Sequence, residues 1–162
     1  MAEAVDVARI DGGFSVVFAD GTRTLGRRLV LAHGVEDVLA DISGVKERWG
    51  RTALHCPWRH GYEVGGGPGA RLTDGRFVPL KAIFVGAAVR VASPFAETLG
   101  CDMTDTPVGR LVKVDTAQQT SQPGVFAAGD LARAASNITL STSDGLTAGH
   151  ALFRSLVEEE TA

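Results

Sequence analysis

The sequence predicts an α/β or α+β fold with a short β-sheet, small β-hairpins and a C-terminal helix. Short apolar runs rich in β-branched and aromatic residues recur along the chain and end at glycines, as buried strands do. The Asp-Gly pairs at Asp20-Gly21 and Asp74-Gly75 have the composition of hairpin turns. Residues 141–159 place apolar side chains at helical spacing. Strands, hairpins and a terminal helix together predict a mixed domain.

The first half of the chain contains predicted strands and a short helix. Residues 14–18 read Phe-Ser-Val-Val-Phe, and after the first Asp-Gly turn residues 22–25 return as the second strand of a hairpin. Residues 27–32 are a predicted buried strand because most of the run is apolar and His33-Gly34 closes it. A short helix is predicted at 45–49.

The second half follows a glycine cluster at 65–70, which we interpret as a flexible linker within a single domain of residues 1–162. A helix is expected at 93–99, with Ser93 as its cap and Pro94 in its first position. Strands are predicted at residues 82–85, 111–114 and 124–128. The last helix is expected to be capped by Ser141, Thr142 or Ser143.

Composition predicts a globular protein and excludes several kinds of partner. Hydrophobic residues make up 44% of the chain and the net charge is −3 without a basic block, so we expect neither nucleic acid nor membrane as a partner. No apolar run approaches the roughly 20 residues that span a bilayer, and a cytoplasmic location is expected. Cys56 and Cys101 are not a Cys-x-x-Cys pair, and no metal site is expected.

The clearest functional signal is residues 120–130, Thr-Ser-Gln-Pro-Gly-Val-Phe-Ala-Ala-Gly-Asp. Gly129 ends the predicted strand, and its missing side chain allows a ligand to approach the backbone closely. Asp130 then places a carboxylate at the carboxyl end of the strand, where α/β folds bind ligands. An ordinary Gly-Asp turn explains the same residues, so both interpretations stay open.

This segment resembles the second flavin-binding motif of the pyridine nucleotide-disulfide oxidoreductases. The resemblance implies that Asp130, after Gly129, hydrogen-bonds the ribityl and pyrophosphate region of FAD. It also implies that the start of the last helix, at Ser141, Thr142 and Ser143, points at the pyrimidine edge of the flavin. A helix N-terminus suits the negative charge of a reduced flavin.

Other segments resemble the same family in collinear order. Residues 13–34 resemble its small hairpin and the strand that ends in Ala-Thr-Gly, with His33 in place of the threonine. Residues 42–49 are similar to its Ile-Pro-Gly stretch, and residues 82–115 to the segment that returns to the flavin domain. The resemblance implies a partial FAD-domain-like fold with three layers.

Residues 56–63 resemble the redox segment Cys-Pro-Tyr-Cys-His-Gly-Tyr-Glu of the thioredoxin-reductase-like group. Arg59 stands in place of the second cysteine, so the internal disulfide of that group is absent. Arg59 and His60 are able to lower the pKa of Cys56 and make it reactive. An inherited scaffold without reactivity is the other interpretation.

Two parts of the family have no match in the sequence. The glycines at 65–70 stand where the family has its nicotinamide domain, and nothing before Gly12 matches the Gly-x-Gly-x-x-Gly unit that holds the ADP half of FAD. The resemblance therefore implies only the isoalloxazine-side half of an FAD site. It also implies an exposed sheet edge, which would pair with a second copy or a complementing subunit.

Three functions stay open at this point. The first is a degenerate oxidoreductase-family protein that binds FAD through its half-site. The second is a flavin-free enzyme that uses His33, Arg59 and His60 in acid–base catalysis on a small apolar substrate, by cyclisation or isomerisation. The third is a non-catalytic partner protein, so whether the chain is an enzyme stays open as well.

Overall fold

The computed structural model of the chain describes residues 2–54, 69–80, 82–135 and 137–162. The chain forms two compact units, one of Met1–Glu36 with Val89–Ala162 and the other of Asp37–Ala88. A single domain over residues 1–162 stays a prediction. Residues 65–68 of the predicted linker lie outside the described residues, and the prediction is wrong for Gly69 and Ala70, which belong to a paired β-strand.

The elements confirm the predicted mixed fold of small sheets, hairpins and a C-terminal helix. In chain order they are β1 (Ala4–Ile10), β2 (Gly13–Phe18), β3 (Arg23–Gly26), β4 (Leu29–Leu31), β5 (Val35–Val38), α1 (Val45–Arg48), β6 (Ala53–Leu54), β7 (Gly69–Arg71), β8 (Phe77–Pro79), β9 (Ile83–Phe84), β10 (Ala88–Val91), α2 (Phe95–Thr98), β11 (Met103–Thr106), β12 (Gly109–Val112), β13 (Val125–Ala127), a 3₁₀ turn (Asp130–Ala132) and α3 (Ile138–Thr161). No helix among the described ranges is long and apolar enough to cross a membrane.

The predicted hairpin is present as β2 and β3, and β1 adds an antiparallel strand that the sequence did not predict. Gly21 takes a positive φ of 81°, and the carboxylate of Asp20 accepts the Thr22 N–H at 2.9 Å, which closes the turn. Strand β1 pairs along β2 with Arg9 opposite Phe14, and the Arg9 guanidinium lies 4.8 Å from the centre of the Phe14 ring. This meander is one layer of the larger unit.

The centre of the larger unit is a parallel pair, β4 with β13, in which Val125 pairs with Leu29 and Ala127 with Leu31. All three residues of β13 are buried. Its side chains alternate between two faces, so Val125 and Ala127 join the main core while Phe126 packs against α3. The buried members of the main core are Phe14, Leu31, Ala96, Cys101, Val112, Val125, Ala127 and Leu131.

A four-stranded sheet in the order β11-β12-β10-β5 stands beside this centre, and helix α2 follows β10. The prediction that Ser93 caps α2 and that Pro94 is its first helical residue is wrong. Pro94 occupies the cap position without a side-chain hydrogen bond, and the helix begins at Phe95. The Ser93 hydroxyl is buried and has no partner among the described residues, so it is unable to satisfy the first turn.

The last helix begins earlier than predicted, at Ile138, and Asn137 is its cap. The Asn137 side chain accepts the Leu140 N–H at 2.9 Å, and asparagine caps helices as well as serine does. Thr142, one of the predicted caps, lies inside the helix, where its hydroxyl donates to the Ile138 carbonyl. Ser141 and Ser143 lie inside the helix as well, so the prediction that one of these three residues caps it is wrong.

The smaller unit contains the predicted short helix as α1, a parallel pair β6 with β9, and a hairpin of β7 and β8. The hairpin confirms the second Asp-Gly turn. Gly75 has a φ of 88°, and the Asp74 carboxylate accepts the Arg76 N–H at 3.0 Å.

Truncation of Phe126 to alanine is expected to destabilise the larger unit by about 3 kcal/mol, because this side chain is 1% exposed and fills the space between β13 and α3. Phe153→Ala is the matched control on α3, since that ring is 67% exposed, and its expected cost is below about 0.5 kcal/mol. Urea unfolding followed by circular dichroism measures both. Equal effects of the two variants would contradict the packing of Phe126 against α3.

Candidate functional site

The candidate site lies where β13 ends. Gly129 follows the strand with φ 81° and ψ −152°, a backbone conformation that glycine adopts and other residues almost never do. Asp130 then begins the 3₁₀ turn at the carboxyl end of a buried parallel strand. The sequence therefore places its glycine where the backbone requires one, and Asp130 emerges partly exposed beside it.

The first turns of α3 lie against this strand end. The Ser141 hydroxyl donates to Oδ1 of Asp130 at 2.9 Å. A β-carbon on Gly129 would lie 3.5 Å from the Ser141 side chain, an ordinary van der Waals distance, so the glycine backbone passes close to the helix. Of the residues predicted to bind a cofactor, the structure thus brings Gly129, Asp130 and Ser141 together.

The other two predicted cofactor-binding residues make no such contact. Thr142 and Ser143 are exposed, and each contacts only its own helix: the Thr142 hydroxyl donates to Ile138, and the Ser143 carbonyl accepts the Thr147 hydroxyl. The roles of all five residues stay predictions.

Most of the predicted catalytic residues, Cys56, Arg59 and His60, lie outside the described residues. His33 follows β4 and is partly buried, with its ring edge-on to Phe95 at a centroid distance of 5.7 Å. Burial lowers the pKa of His33 below its ordinary value of 6.5, which favours the neutral ring at neutral pH. Its Nε2 atom is buried and has no hydrogen-bond partner in the part of the chain that the structure describes.

Cys101 is buried in the main core, as a structural cysteine is expected to be. Its thiol donates to the Thr120 hydroxyl at 3.5 Å. Burial raises the pKa of this thiol, and the contact with Thr120 opposes that effect only in part. A thiol in this setting is a packing residue, because the nucleophilic form of cysteine is the thiolate.

The sequence interpretation missed Asp144, which is 3% exposed on the inner face of α3. The signal was in the sequence: Asp144 lies four residues before Ala148 and eight before Leu152, so it shares a helical face with apolar residues. A carboxylate on a core-facing stripe requires a partner, since an isolated buried charge is strongly unfavourable.

Arg133 is that partner. Its guanidinium donates from Nε to Oδ2 of Asp144 at 2.8 Å and from Nη2 to Oδ1 at 2.5 Å, which is a bidentate pair. The Gln118 side chain adds a third donor to Oδ1, at 3.2 Å. Arg133 holds the pKa of Asp144 below its ordinary value of 3.8 despite burial, with a smaller contribution from the Gly129 backbone N–H.

Comparison with known proteins places this geometry in context. No family model matches the chain. The thioredoxin reductase tcpT of Claviceps purpurea is 50% identical over 50 residues, which cover 31% of this chain and 16% of that protein. The thioredoxin reductase sirT of Leptosphaeria maculans is 39% identical over 62 residues, or 38% of this chain and 19% of that protein.

Solved structures extend the likeness to nearly the whole chain. An oxidoreductase from Agrobacterium tumefaciens matches with a TM-score of 0.84 and 27% identity over 96% of this chain and 73% of that one. The chain is similar to thioredoxin reductases in sequence and in fold. A ferredoxin-flavin thioredoxin reductase from Clostridium acetobutylicum shares the fold alone, at a TM-score of 0.60 and 14% identity over 99% of this chain and 73% of that one.

The thioredoxin-reductase-like resemblance inferred from the sequence is thus confirmed, and so is the fold class that it implied. The sequence matches span less than a fifth of the curated relatives.

Asp144→Asn is expected to lower the free energy of unfolding by about 2 kcal/mol near neutral pH, because it removes charge-assisted hydrogen bonds from a buried site. The folded-state pKa of Asp144 lies below 3.8, so its contribution is complete above the unfolded pKa and is lost as the pH falls through the folded pKa. The difference from the unsubstituted protein should be constant above about pH 5 and shrink in more acidic solution.

Urea unfolding at several pH values measures this difference. Glu158→Gln is the matched control on the same helix, because its pair with Arg154 is exposed on both sides and contributes little. A difference that grows as the pH falls would contradict the assignment of Asp144 as an ionised, paired carboxylate.

Proposed function

We propose that the chain binds flavin through the isoalloxazine-side half of an FAD site, as an oxidoreductase-family protein that acts with a second chain. The observation that carries the proposal is the junction of Gly129, Asp130 and Ser141 at the end of a buried parallel strand. Carboxyl ends of parallel strands beside a helix N-terminus are where α/β folds bind nucleotide-like ligands.

The residues at this junction fit a flavin. The Asp130 carboxylate is an acceptor for the hydroxyl groups of a ribityl chain, and its second oxygen has no partner among the described residues. Asn137 caps the Leu140 N–H, which leaves the first N–H groups of α3 as donors for the carbonyls of a pyrimidine ring. Ile138, 86% exposed at the same helix start, offers an apolar surface for a ring to cover.

Each part of the proposed site then has a separate task. Asp130 binds and orients the ribityl chain, Gly129 admits it to the backbone, and the N-terminus of α3 stabilises negative charge on the ring. A bound flavin supplies the electron-transfer chemistry. Because Arg59 stands in place of the second cysteine, the proposal does not extend to thiol–disulfide exchange.

Similarity to thioredoxin reductases in sequence and fold supports the proposal. Relatives named thioredoxin reductase match the sequence, and a ferredoxin-flavin thioredoxin reductase has the same fold. The proposed location of the protein is the cytoplasm.

Titration of the purified protein with FAD and with FMN is expected to quench flavin fluorescence and to give a visible absorption band. Asp130→Asn should weaken binding about tenfold, since it removes the charged acceptor while it keeps the shape of the side chain. Asp105→Asn, an exposed change on β11, is the matched control and should bind as the unsubstituted protein does. A protein that binds neither flavin would disprove the proposed function.

The second chain is proposed from the edge of β4. Within the described residues, β13 has neighbours on both sides, β4 and the Gln119 bridge, whereas β4 pairs only with β13. The Leu29 N–H and the Leu31 carbonyl bond toward β13, so the N–H and carbonyl of Val30 point the other way. Val30 is also 37% exposed, and an open strand edge of this kind is a template for a strand from another chain.

Val30→Pro is expected to block strand addition, because proline removes the outward N–H without disturbing the bonds to β13. The unsubstituted protein should have the mass of two or more chains in light scattering at micromolar concentration, and the variant the mass of one. Val30→Thr keeps the N–H and should assemble normally. A single-chain mass for the unsubstituted protein would contradict self-association and leave a different subunit as the occupant to seek by co-purification.

A further inference from the structure

The 3₁₀ turn that carries Asp130 is attached to α3 by two side-chain contacts. One is the Ser141–Asp130 hydrogen bond at 2.9 Å. The other is the bidentate pair between Arg133, which follows the turn directly, and Asp144. One contact lies at each end of the turn.

The spacing of these contacts is the same on both elements. Residues 130 and 133 are three apart, and so are 141 and 144. Three residues make one repeat of a 3₁₀ helix, and residues three apart are neighbours on one face of an α-helix. The two contacts therefore fix how far the turn is shifted along the helix as well as its distance from it.

A buried aspartate is an energetically unfavourable residue if its role is only to attach the 3₁₀ turn to α3. Its side chain is buried beside apolar Ala148, while Arg133 remains about one-third exposed. Buried ion pairs often stabilise no more than apolar side chains of similar volume, whereas they impose a specific geometry.

The same carboxylate also holds the loop before β13. Gln118 donates to it at 3.2 Å from a left-handed backbone with φ 61°, the one non-glycine residue of positive φ in the described ranges. Its amide oxygen is buried with no partner there. A strained residue held in this way indicates that the surrounding contacts determine the loop conformation.

We infer that Asp144 is a positioning residue, which acts through Arg133 and Gln118 to hold the Gly129–Asp130 turn in the register that presents Asp130 to its ligand. The inference rests on the proposed function for the identity of that ligand, FAD. Asp144, which is buried and has no access to the ligand, thereby sets the affinity of the site.

A double-mutant cycle on FAD affinity tests this role. Asp130→Asn and Asp144→Asn should each weaken binding about tenfold, and the double variant by no more than about tenfold, because both changes remove the same interaction. A double variant weakened about a hundredfold would show independent effects and overturn the inference. Glu158→Gln on the same helix is the control and should combine with Asp130→Asn without coupling.

A second measurement separates the inference from the proposed function. In ¹⁵N spectra of the ligand-free protein, Asp144→Asn should shift the amide signals of Gly129 and Asp130 and speed their hydrogen exchange, while the amides of the β1–β2 hairpin stay unchanged. If the unsubstituted protein binds no flavin, the proposed function fails and these spectra decide the inference alone. Unchanged Gly129 and Asp130 signals would overturn it.

Arg133→Lys covers the case in which Asp144→Asn does not fold. It keeps the positive charge and loses the bidentate geometry, so smaller changes in the same direction are expected in both assays. A lysine variant of lower stability with unchanged Gly129 and Asp130 signals would assign Asp144 a stabilising role only and overturn the positioning role.

Discussion

The larger unit depends on the burial of one three-residue strand, β13. Its alternating side chains enter two different cores, Val125 and Ala127 on one face and Phe126 on the other. Pairing with β4 satisfies its backbone on one side, and the loop at Gln118 and Gln119 does so on the other. Because β13 is held on all sides, its carboxyl end is a fixed point from which the Gly129–Asp130 turn is placed.

Two carboxylates, those of Asp130 and Asp144, lie near this end of β13, beside a largely apolar core. Asp144 is buried, its charge is balanced by Arg133, and the Gln118 amide donates a further hydrogen bond, so directed hydrogen bonds offset the cost of burial. Asp130 differs, since it is partly exposed and its carboxylate accepts a side-chain hydrogen bond only from Ser141 among the described residues. The Asp144 carboxylate thus stabilises the structure, whereas the Asp130 carboxylate is able to accept further hydrogen bonds from a ligand.

Local patterns predicted much of this architecture. The predicted Asp-Gly turns and the Gly-Asp ending of β13 each depend on residues within a few positions, and they are where the sequence predicted them. Strand β4 is also present, but the prediction that it is buried is wrong for Val30, which is 37% exposed at an open strand edge. The start of α3 was misplaced, because Asn137 competes equally with three hydroxyl residues as a cap and only the path of the chain decides which is used. Strand β1 was missed because Val-Asp-Val-Ala-Arg-Ile contains two charged residues, although the Asp11-Gly12 turn before β2, with Gly12 at φ 72°, was a local hairpin signal.

Local sequence was enough to predict the kind of site: a glycine that permits φ 81°, then a carboxylate, at the end of an apolar strand, in a chain similar to thioredoxin reductases. The side chains that meet at this site are set by the packing of the fold. Ser141 reaches Asp130, and Arg133 reaches Asp144, each across eleven residues of chain. Such contacts depend on how α3 packs on Phe126, and packing between elements far apart in the chain is not encoded in the periodicity of either one.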